Sequence, residues 1–570
     1  MDQVAVDTVP LRREQVVAVA RHGAPVRLTA DAEAAIAASR RFIDALAATG
    51  AGVYGVSTGF GALATRGIPA SERTRLQQSL IRSHAAGNGP LVEDEVVRAL
   101  MLLRLRTLAS GHTGVRLETA RAYAALLNSP LVPVVHEYGS LGCSGDLAPL
   151  AHCALVLMGE GEVRDAGVVR PAAEALPDHG LTPVVLAEKE GLALINGTDG
   201  MLGMLVLALH DLANLLDVAD LAAAMSVEGQ LGTDRTFAAD LMALRPQAGQ
   251  STSATNLRRF LAGSPIVASH RHGDGVVQDA YSLRCSPQVH GSLRDAVGFA
   301  ATIAERELAS AIDNPSVLDD GRVESHGNFH GAPIAHVLDF LAIGVADVAG
   351  ISERRTDRFL DVNRNRGLPP FLADDPGIDS GLMIAQYTQA GIVSTLKRLA
   401  VPASVDSIPS SALQEDHVSM GWAAARKLRT AVDGLARVLA IEVLAAARGI
   451  ELRAPLRPAP ATGAAIAVLR QTVPGPGPDR FLAPEIEATY QLVTSGALIA
   501  ATLRDAPLVP HGAPQGPSDN PPPVPHGAPQ GPSDNPPPVP HGAPQGPSDN
   551  PPPVPHRAPQ GASDPAKENR

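Results

Sequence analysis

A mainly α fold is expected, with a core bundle of long helices, a smaller N-terminal α+β region and a disordered proline-rich C-terminal tail. Three observations point there. Long stretches through the middle and end of the chain carry apolar residues at helical spacing. Short β-type runs fall in the first part of the chain, and the C-terminal end repeats a proline-rich unit with almost nothing apolar to bury.

Taken in order, residues 4–9, 16–20 and 184–186 are β-type runs set among alanine-rich helical stretches, which suggests an α+β region over 1–200. Residues 205–225, 292–312, 334–348, 383–399, 423–447 and 485–503 each repeat apolar residues at helical spacing, separated by Gly, Pro, Asp and Ser breaks. They predict a helical bundle domain over 201–505, and their alanine content favours close helix contacts that extend across subunits. The unit VPHGAPQGPSDNPPP begins at Val509, returns at Val524 and Val539, and decays from Val554, a 15-residue period. It is too polar and proline-locked to stack as a solenoid, so 506–570 is expected to be an extended, disordered tail.

With 570 residues, 45% hydrophobic and 19% charged, the chain has ample material for a large core. A formal net charge of -12 supplies no basic surface for nucleic acid, so the expected partner is a small molecule. The 3 cysteines, Cys143, Cys153 and Cys285, lack the spacing of a zinc site or a disulfide framework, which fits a reducing compartment and a cytoplasmic location. The N-terminus has no basic start followed by an apolar run, and the apolar window 332–351 is interrupted by His336, Asp339 and Asp347. Neither a secretory signal nor a membrane span is expected.

The segment most informative about chemistry is 138–152, YGSLGCSGDLAPLAH, where glycine-rich irregular backbone runs into an apolar helical pattern. It reads as a loop feeding a helix that Ser144 or Asp146 would cap. A phosphate-cradling loop is not indicated, because neither Walker spacing nor GxGxxG is present. The run GSLGCSGDLAPLAH closely resembles the signature of the histidine, phenylalanine and tyrosine ammonia-lyases and related aminomutases. In that family the residues aligned with Cys143, Ser144 and Gly145 cyclise without another enzyme to a 4-methylideneimidazole-5-one group. Gly145 nitrogen must approach the Cys143 carbonyl carbon, which a missing Cβ permits, and loss of the Ser144 hydroxyl leaves dehydroalanine. The resemblance therefore implies a self-made electrophile with no metal and no external cofactor. This chain has Cys143 where the family usually has alanine; that residue gives only its backbone to the ring, so the thiol is tolerable but adds oxidation sensitivity.

Other segments extend the resemblance. Tyr54, in GVYGVSTGFG, matches the family's catalytic base, and His84, in SHAAG, faces the substrate ring where phenylalanine-type enzymes carry apolar residues. Asn196, in LINGT, matches the asparagine that contacts the prosthetic group. The segment QDAYSLRCSPQ is similar to the substrate-carboxylate segment, with Arg284 as a two-toothed clamp, Gln278 and Tyr281 beside it, and Tyr281 among the catalytic set. Phe329, in NFHG, would pack near the substrate. Glu415, in SALQEDHVSM, stands where histidine-specific members carry glutamate and phenylalanine- or tyrosine-specific members usually carry an amide. A carboxylate can bond an imidazole N–H, whereas burying it against a benzene ring without a partner costs several kcal/mol.

The resemblance, over about residues 5 to 505, implies non-oxidative elimination of ammonia from L-histidine to give trans-urocanate, the first step of histidine degradation. It also implies a homotetramer with sites built from several chains. The neighbouring alternative is a tyrosine or phenylalanine ammonia-lyase, or an aminomutase, using the same group. Other classes are a metal-dependent hydrolase built on His326, His330, His336 and His417, which lack a compact ligand motif, and a scaffold recruiting partners through the tail.

Overall fold

The computed structural model describes residues 2–49, 53–59, 61–63, 65–142, 144–272 and 276–511. Among them helices dominate, and strands occur in small two- or three-stranded sheets, so the mainly α fold is as the sequence predicts. The chain divides into Met1–Pro521 and Pro522–Arg570, and every described residue belongs to the first unit. One large hydrophobic core draws residues from both sides of position 200. Most of the expected tail lies outside the described residues.

Three long helices form the centre: Asp199–Gly229, Ala332–Leu360 and Gly421–Glu451. The Asp199 helix is apolar on nearly every face because it is enclosed by the other two and by Asp94–Ala109 and Ser286–Leu308. Gly331 and Gly421 both abut Met201 near the start of the Asp199 helix, while Gly229 and Gly449 both meet Phe359 at the far end. The three helices therefore run parallel, with their N-termini gathered at one end. A buried Arg355–Glu442 ion pair ties the second helix to the third, and Ser226 and Ser352 also donate to Glu442. The Asp199 and Ala332 helices are long and apolar enough to cross a membrane by length and composition, but 72% and 61% of their most apolar windows are buried inside this bundle.

Several local expectations need correction. Residues 16–20 are not a strand; they lie in the helix Arg13–His22, which presents Val16, Val17, Val19 and Ala20 to the core and ends at Gly23 in a left-handed C-cap. Packing against Asp94–Ala109 overrides the β preference of valine there. Residues 184–186 form no strand; the Val184 N–H donates to the Leu157 carbonyl and the Arg116 guanidinium to the Val185 carbonyl, with no ladder between backbones, and Val185 is 65% exposed. The 485–503 stretch is two helices, Ala483–Thr494 and Ala497–Thr502, broken where Gly496 turns left-handed at φ 74°. The 292–312 stretch belongs to Ser286–Leu308, which begins earlier because Pro287 suits a first helical turn. Residues 4–6 do form a strand, paired in parallel with Val26–Leu28.

Candidate active site

The glycine-rich loop sits against the gathered helix N-termini. Met420 N–H donates to the Leu141 carbonyl at 3.1 Å, and the Ser419 hydroxyl to the Gly142 carbonyl at 3.4 Å. Gly145 forms a short parallel bridge with Gly197, and Asp146 N–H donates to the Gly197 carbonyl at 2.7 Å. Ser144 and Gly145 are consecutive left-handed residues, with φ 49° and 78°. A Cβ on Gly145 would run into the Gly197 carbonyl, so glycine is required. Ser144 pays about 1–2 kcal/mol for its conformation, the kind of local strain that gathers at functional sites. Cys143 lies outside the described residues.

The helix Leu147–Leu157 does follow the loop, but neither residue expected to cap it does so with its side chain. Asp146 occupies the cap position and sends its carboxylate to the Asp199 helix instead. There it accepts from Gly200 N–H at 3.0 Å and Met201 N–H at 2.9 Å, and from the Ser140 hydroxyl at 3.1 Å. Burial, with the charge of Asp199 adding, pushes its pKa up to about 7 against the pull of those donors. Sequence reasoning missed this carboxylate as more than a cap; its place within Ser-Gly-Asp was the available signal.

Tyr54, His84 and Glu415 come together at the same end. The Tyr54 hydroxyl oxygen accepts from Gly61 N–H at 3.2 Å. Burial raises its pKa, the Gly61 donor opposes this, and the Glu415 charge raises it further. His84 ends the helix Arg73–His84 with Nδ1 at 2.9 Å from the Leu80 carbonyl. A carbonyl only accepts, so Nδ1 carries the hydrogen and Nε2 is left as an acceptor. Burial lowers the His84 pKa and Glu415 opposes it, so one carboxylate acts on both residues. Glu415 is held by the Ser410 hydroxyl at 3.1 Å and by backbone pairing with Ser410. The neighbouring Ser411–Leu413 turn meets Gly61–Leu63, with Gly61 facing Ser411.

Asn196 joins this group through its own segment. Lys189 N–H donates to the Gly55 carbonyl at 3.1 Å, beside Tyr54, and its buried ammonium pairs with Asp313 at 2.5 Å. Seven residues on, the Asn196 amide donates to the Asn314 carbonyl at 2.9 Å, while its buried Oδ1 has no partner among the described residues. The Lys189–Asp313 pair had no sequence signal, since its members are remote in the chain. Phe329 is half-buried in a turn just before Gly331, not a core residue. Next to it His330 stacks on His417, centroids 5.6 Å apart, while His326 faces the Ser316 hydroxyl and His336 is exposed. Among the described residues no three His, Cys, Asp or Glu side chains gather as a metal ion would need.

Gln278, Tyr281 and Arg284 lie elsewhere. The short helix Tyr281–Arg284 is held by Arg355, which donates to the Ser282 carbonyl at 3.3 Å, and Gln230 beyond the end of the Asp199 helix donates to the Arg355 carbonyl at 2.9 Å. This places the group near the Gly229 end, whereas Ser144 and its neighbours crowd the Asp199 end. A helix of 31 residues separates the two by about 45 Å. Arg284 lies 4.7 Å from the centroid of the Tyr281 ring, Tyr281 is 72% exposed, and Gln278 is exposed too. One chain thus does not bring the two groups of residues together.

Residues 11–471 match the family described as aromatic amino acid lyase. The chain belongs to the aromatic amino acid lyase family and is a carbon–nitrogen lyase. Its relatives include the histidine ammonia-lyase of Streptomyces griseus, 64% identical over 505 residues, covering 88% of this chain and 98% of the relative. The histidine ammonia-lyase of Streptomyces avermitilis is 63% identical over 503 residues, with shares of 88% and 98%. Among solved structures, histidine ammonia-lyase from Trypanosoma cruzi superposes with TM-score 0.82 at 38% identity, covering 89% of this chain and 96% of that one. Tyrosine aminomutase from Streptomyces globisporus does so with TM-score 0.84 at 36% identity, covering 88% and 99%.

Proposed function

We propose that the chain eliminates ammonia from L-histidine to give trans-urocanate. The observation that carries this reading is the single carboxylate, Glu415, acting on both Tyr54 and His84 beside the Ser144–Gly145 turn. A site with a carboxylate and an imidazole acceptor suits a polar, N–H-bearing ring; a benzene ring would leave both without partners. The relatives named histidine ammonia-lyase support the same substrate.

The prosthetic group would be made from Cys143, Ser144 and Gly145, and the surroundings fit it. Ser144 and Gly145 are already wound into a tight left-handed turn, and Asn196 Oδ1 is a buried acceptor without a partner among the described residues. When formed, the 4-methylideneimidazole-5-one supplies the electrophile that turns the amine into a better leaving group. Tyr54 takes the β-proton at its phenolic oxygen. Burial opposes the phenolate this requires, and the Gly61 N–H donated to its oxygen offsets part of that cost. Glu415 accepts from the N–H of the substrate imidazole, His84 lies beside the ring, and Phe329 packs near it. Arg284 holds the carboxylate, with Tyr281 and Gln278 beside it. Because those three lie at the far end of the chain that carries Ser144, they would come from another copy, and we take the working unit to be a cytoplasmic homotetramer. In this reading 1–200 carries the prosthetic group, 201–505 the bundle, and the tail stands apart from the chemistry.

The test is near-ultraviolet absorbance of purified protein with L-histidine, with ammonia measured in parallel. A steady rise with matching ammonia, abolished in Ser144→Ala, supports the proposal. The likeness to tyrosine aminomutase favours one other reading: no response to histidine, with consumption of tyrosine or phenylalanine, or appearance of a β-amino acid, would establish that instead.

A further inference from the structure

The helix Arg73–His84 ends in His84 and carries, about two turns earlier, Gln77, whose side chain is wholly buried. The Gln77 amide uses both of its ends. Its Nε2 donates to the Gly55 carbonyl at 3.4 Å, and its Oε1 accepts from Gly191 N–H at 2.9 Å. A carbonyl only accepts and an N–H only donates, so the two ends of the amide cannot be exchanged. Gly55 follows Tyr54, and Gly191 lies in the short helix Glu190–Ala193 that leads to Asn196. One buried side chain on the helix of His84 therefore holds both the backbone beside Tyr54 and the segment before Asn196.

Both glycines are needed where they stand. A Cβ on Gly191 would come within 2.9 Å of Gln77 Oε1 and 3.0 Å of the Gln77 carbonyl oxygen, so the short helix lies directly on Gln77. Gly55 is left-handed at φ 76°, and its carbonyl also accepts from Lys189 N–H at 3.1 Å. Tyr54 sits in a turn closed on itself: Ser57 N–H donates to the Val53 carbonyl and Val53 N–H to the Ser57 hydroxyl, each at 2.9 Å. A pull on the Gly55 carbonyl is thus passed to the whole turn and to the phenol it carries.

We infer that Gln77 is the positioning residue for Tyr54, given Tyr54 as the base of the proposed elimination, on which this rests. Gln77 touches none of the reacting atoms; it sets the phenol relative to His84 and Asn196, and so the reach from the phenolic oxygen to the β-proton. The gap it fills takes a neutral side chain that donates at one end and accepts at the other. Misplacing a base by about 1 Å costs on the order of 100-fold in rate, so a small release of the turn is enough to matter.

Gln77→Met keeps the length of the side chain and removes both bonds. Turnover is expressed per matured chain, counted by mass spectrometry as the fraction whose peptide containing residues 143–145 has lost its waters of cyclisation, so that poor folding is not read as poor chemistry. On this basis kcat should fall about 10- to 100-fold with KM within about threefold of the parent. Adding Gln77→Met to Tyr54→Phe should change the residual kcat by less than about twofold, because a residue that acts through the phenol has nothing left to place. Gly191→Ala reaches the same junction without leaving an N–H unpaired, since its methyl displaces the Gln77 amide, and should give the same pair of results if Gln77→Met does not fold. The amino acid used is whichever one the parent consumes, so a substrate other than histidine leaves the test intact. A kcat per matured chain within about threefold of the parent, or an equal loss with and without the Tyr54 hydroxyl, would overturn the role of Gln77. Full turnover by Tyr54→Phe alone would overturn instead the assignment of the base.

Discussion

Gly145→Ala tests the architecture of the loop most directly. At φ 78° an L-residue costs about 1–2 kcal/mol. The added methyl also meets the Gly197 carbonyl, a backbone group that cannot rotate aside. If Gly197 yields, the 2.7 Å bond from Asp146 N–H is lost, and an unpaired buried N–H costs a further 1–3 kcal/mol or so. Together these give about 2–5 kcal/mol, enough to force the turn open and separate the atoms that join in the proposed ring. Denaturant unfolding should show the loss of stability, and turnover should fall to background. Gly142→Ala is the comparison: its φ is also 78°, but the first obstacle is the Ser419 hydroxyl, which can turn away, so the penalty should be smaller. Unchanged stability and turnover in Gly145→Ala, or a larger cost for Gly142→Ala, would refute the reasoning.

Glu415→Gln removes the charge that raises the Tyr54 pKa, so the alkaline requirement of Tyr54 should move to lower pH while kcat/KM for histidine falls roughly 10- to 100-fold, as expected for losing a charge-assisted hydrogen bond; an unchanged pH profile would separate the two residues. Asp146→Asn should flatten part of the pH dependence of stability. The Asp146 pKa is raised from 3.8 to about 7, so its contribution is fully present below the unfolded value and is lost as pH rises through the folded one. The variant should therefore gain on the parent between those limits, by up to about 4 kcal/mol, and a constant difference in unfolding free energy across that range would count against the buried acid. Finally, Ser144→Ala and Arg284→Ala should each be inactive alone, yet co-expression should restore about a quarter of parental activity in mixed oligomers; no recovery would mean the two part-sites are not shared between chains.

The sequence is read well where one local rule decides. Residues 383–399 have the helix limits read from periodicity alone, because their apolar spacing, their breaks and the packing all agree. Residues 16–20 misled because consecutive valines look like a strand, and only the partner helix Asp94–Ala109 reveals which face they must bury. The glycine-rich loop feeding a helix was legible, since glycine and proline punctuate backbone locally. The carboxylate of Asp146 was not: it was expected to cap the helix that follows it but serves one that begins 53 residues later, and no periodicity encodes that pairing. Nor does spacing reveal that Tyr54, His84 and Glu415 meet, or that Arg284 lies a helix length away; family resemblance supplied the roles, and topology alone supplies the separation.

Under the proposed function, that separation would make assembly a checkpoint. A lone chain has Ser144 and Arg284 at opposite ends of the bundle, so, if Arg284 clamps the substrate as proposed, a newly made or diluted subunit should hold none. Activity per chain should then fall on dilution toward the subunit dissociation constant, and the reactive group should act on small molecules only after quaternary structure has closed a pocket over it.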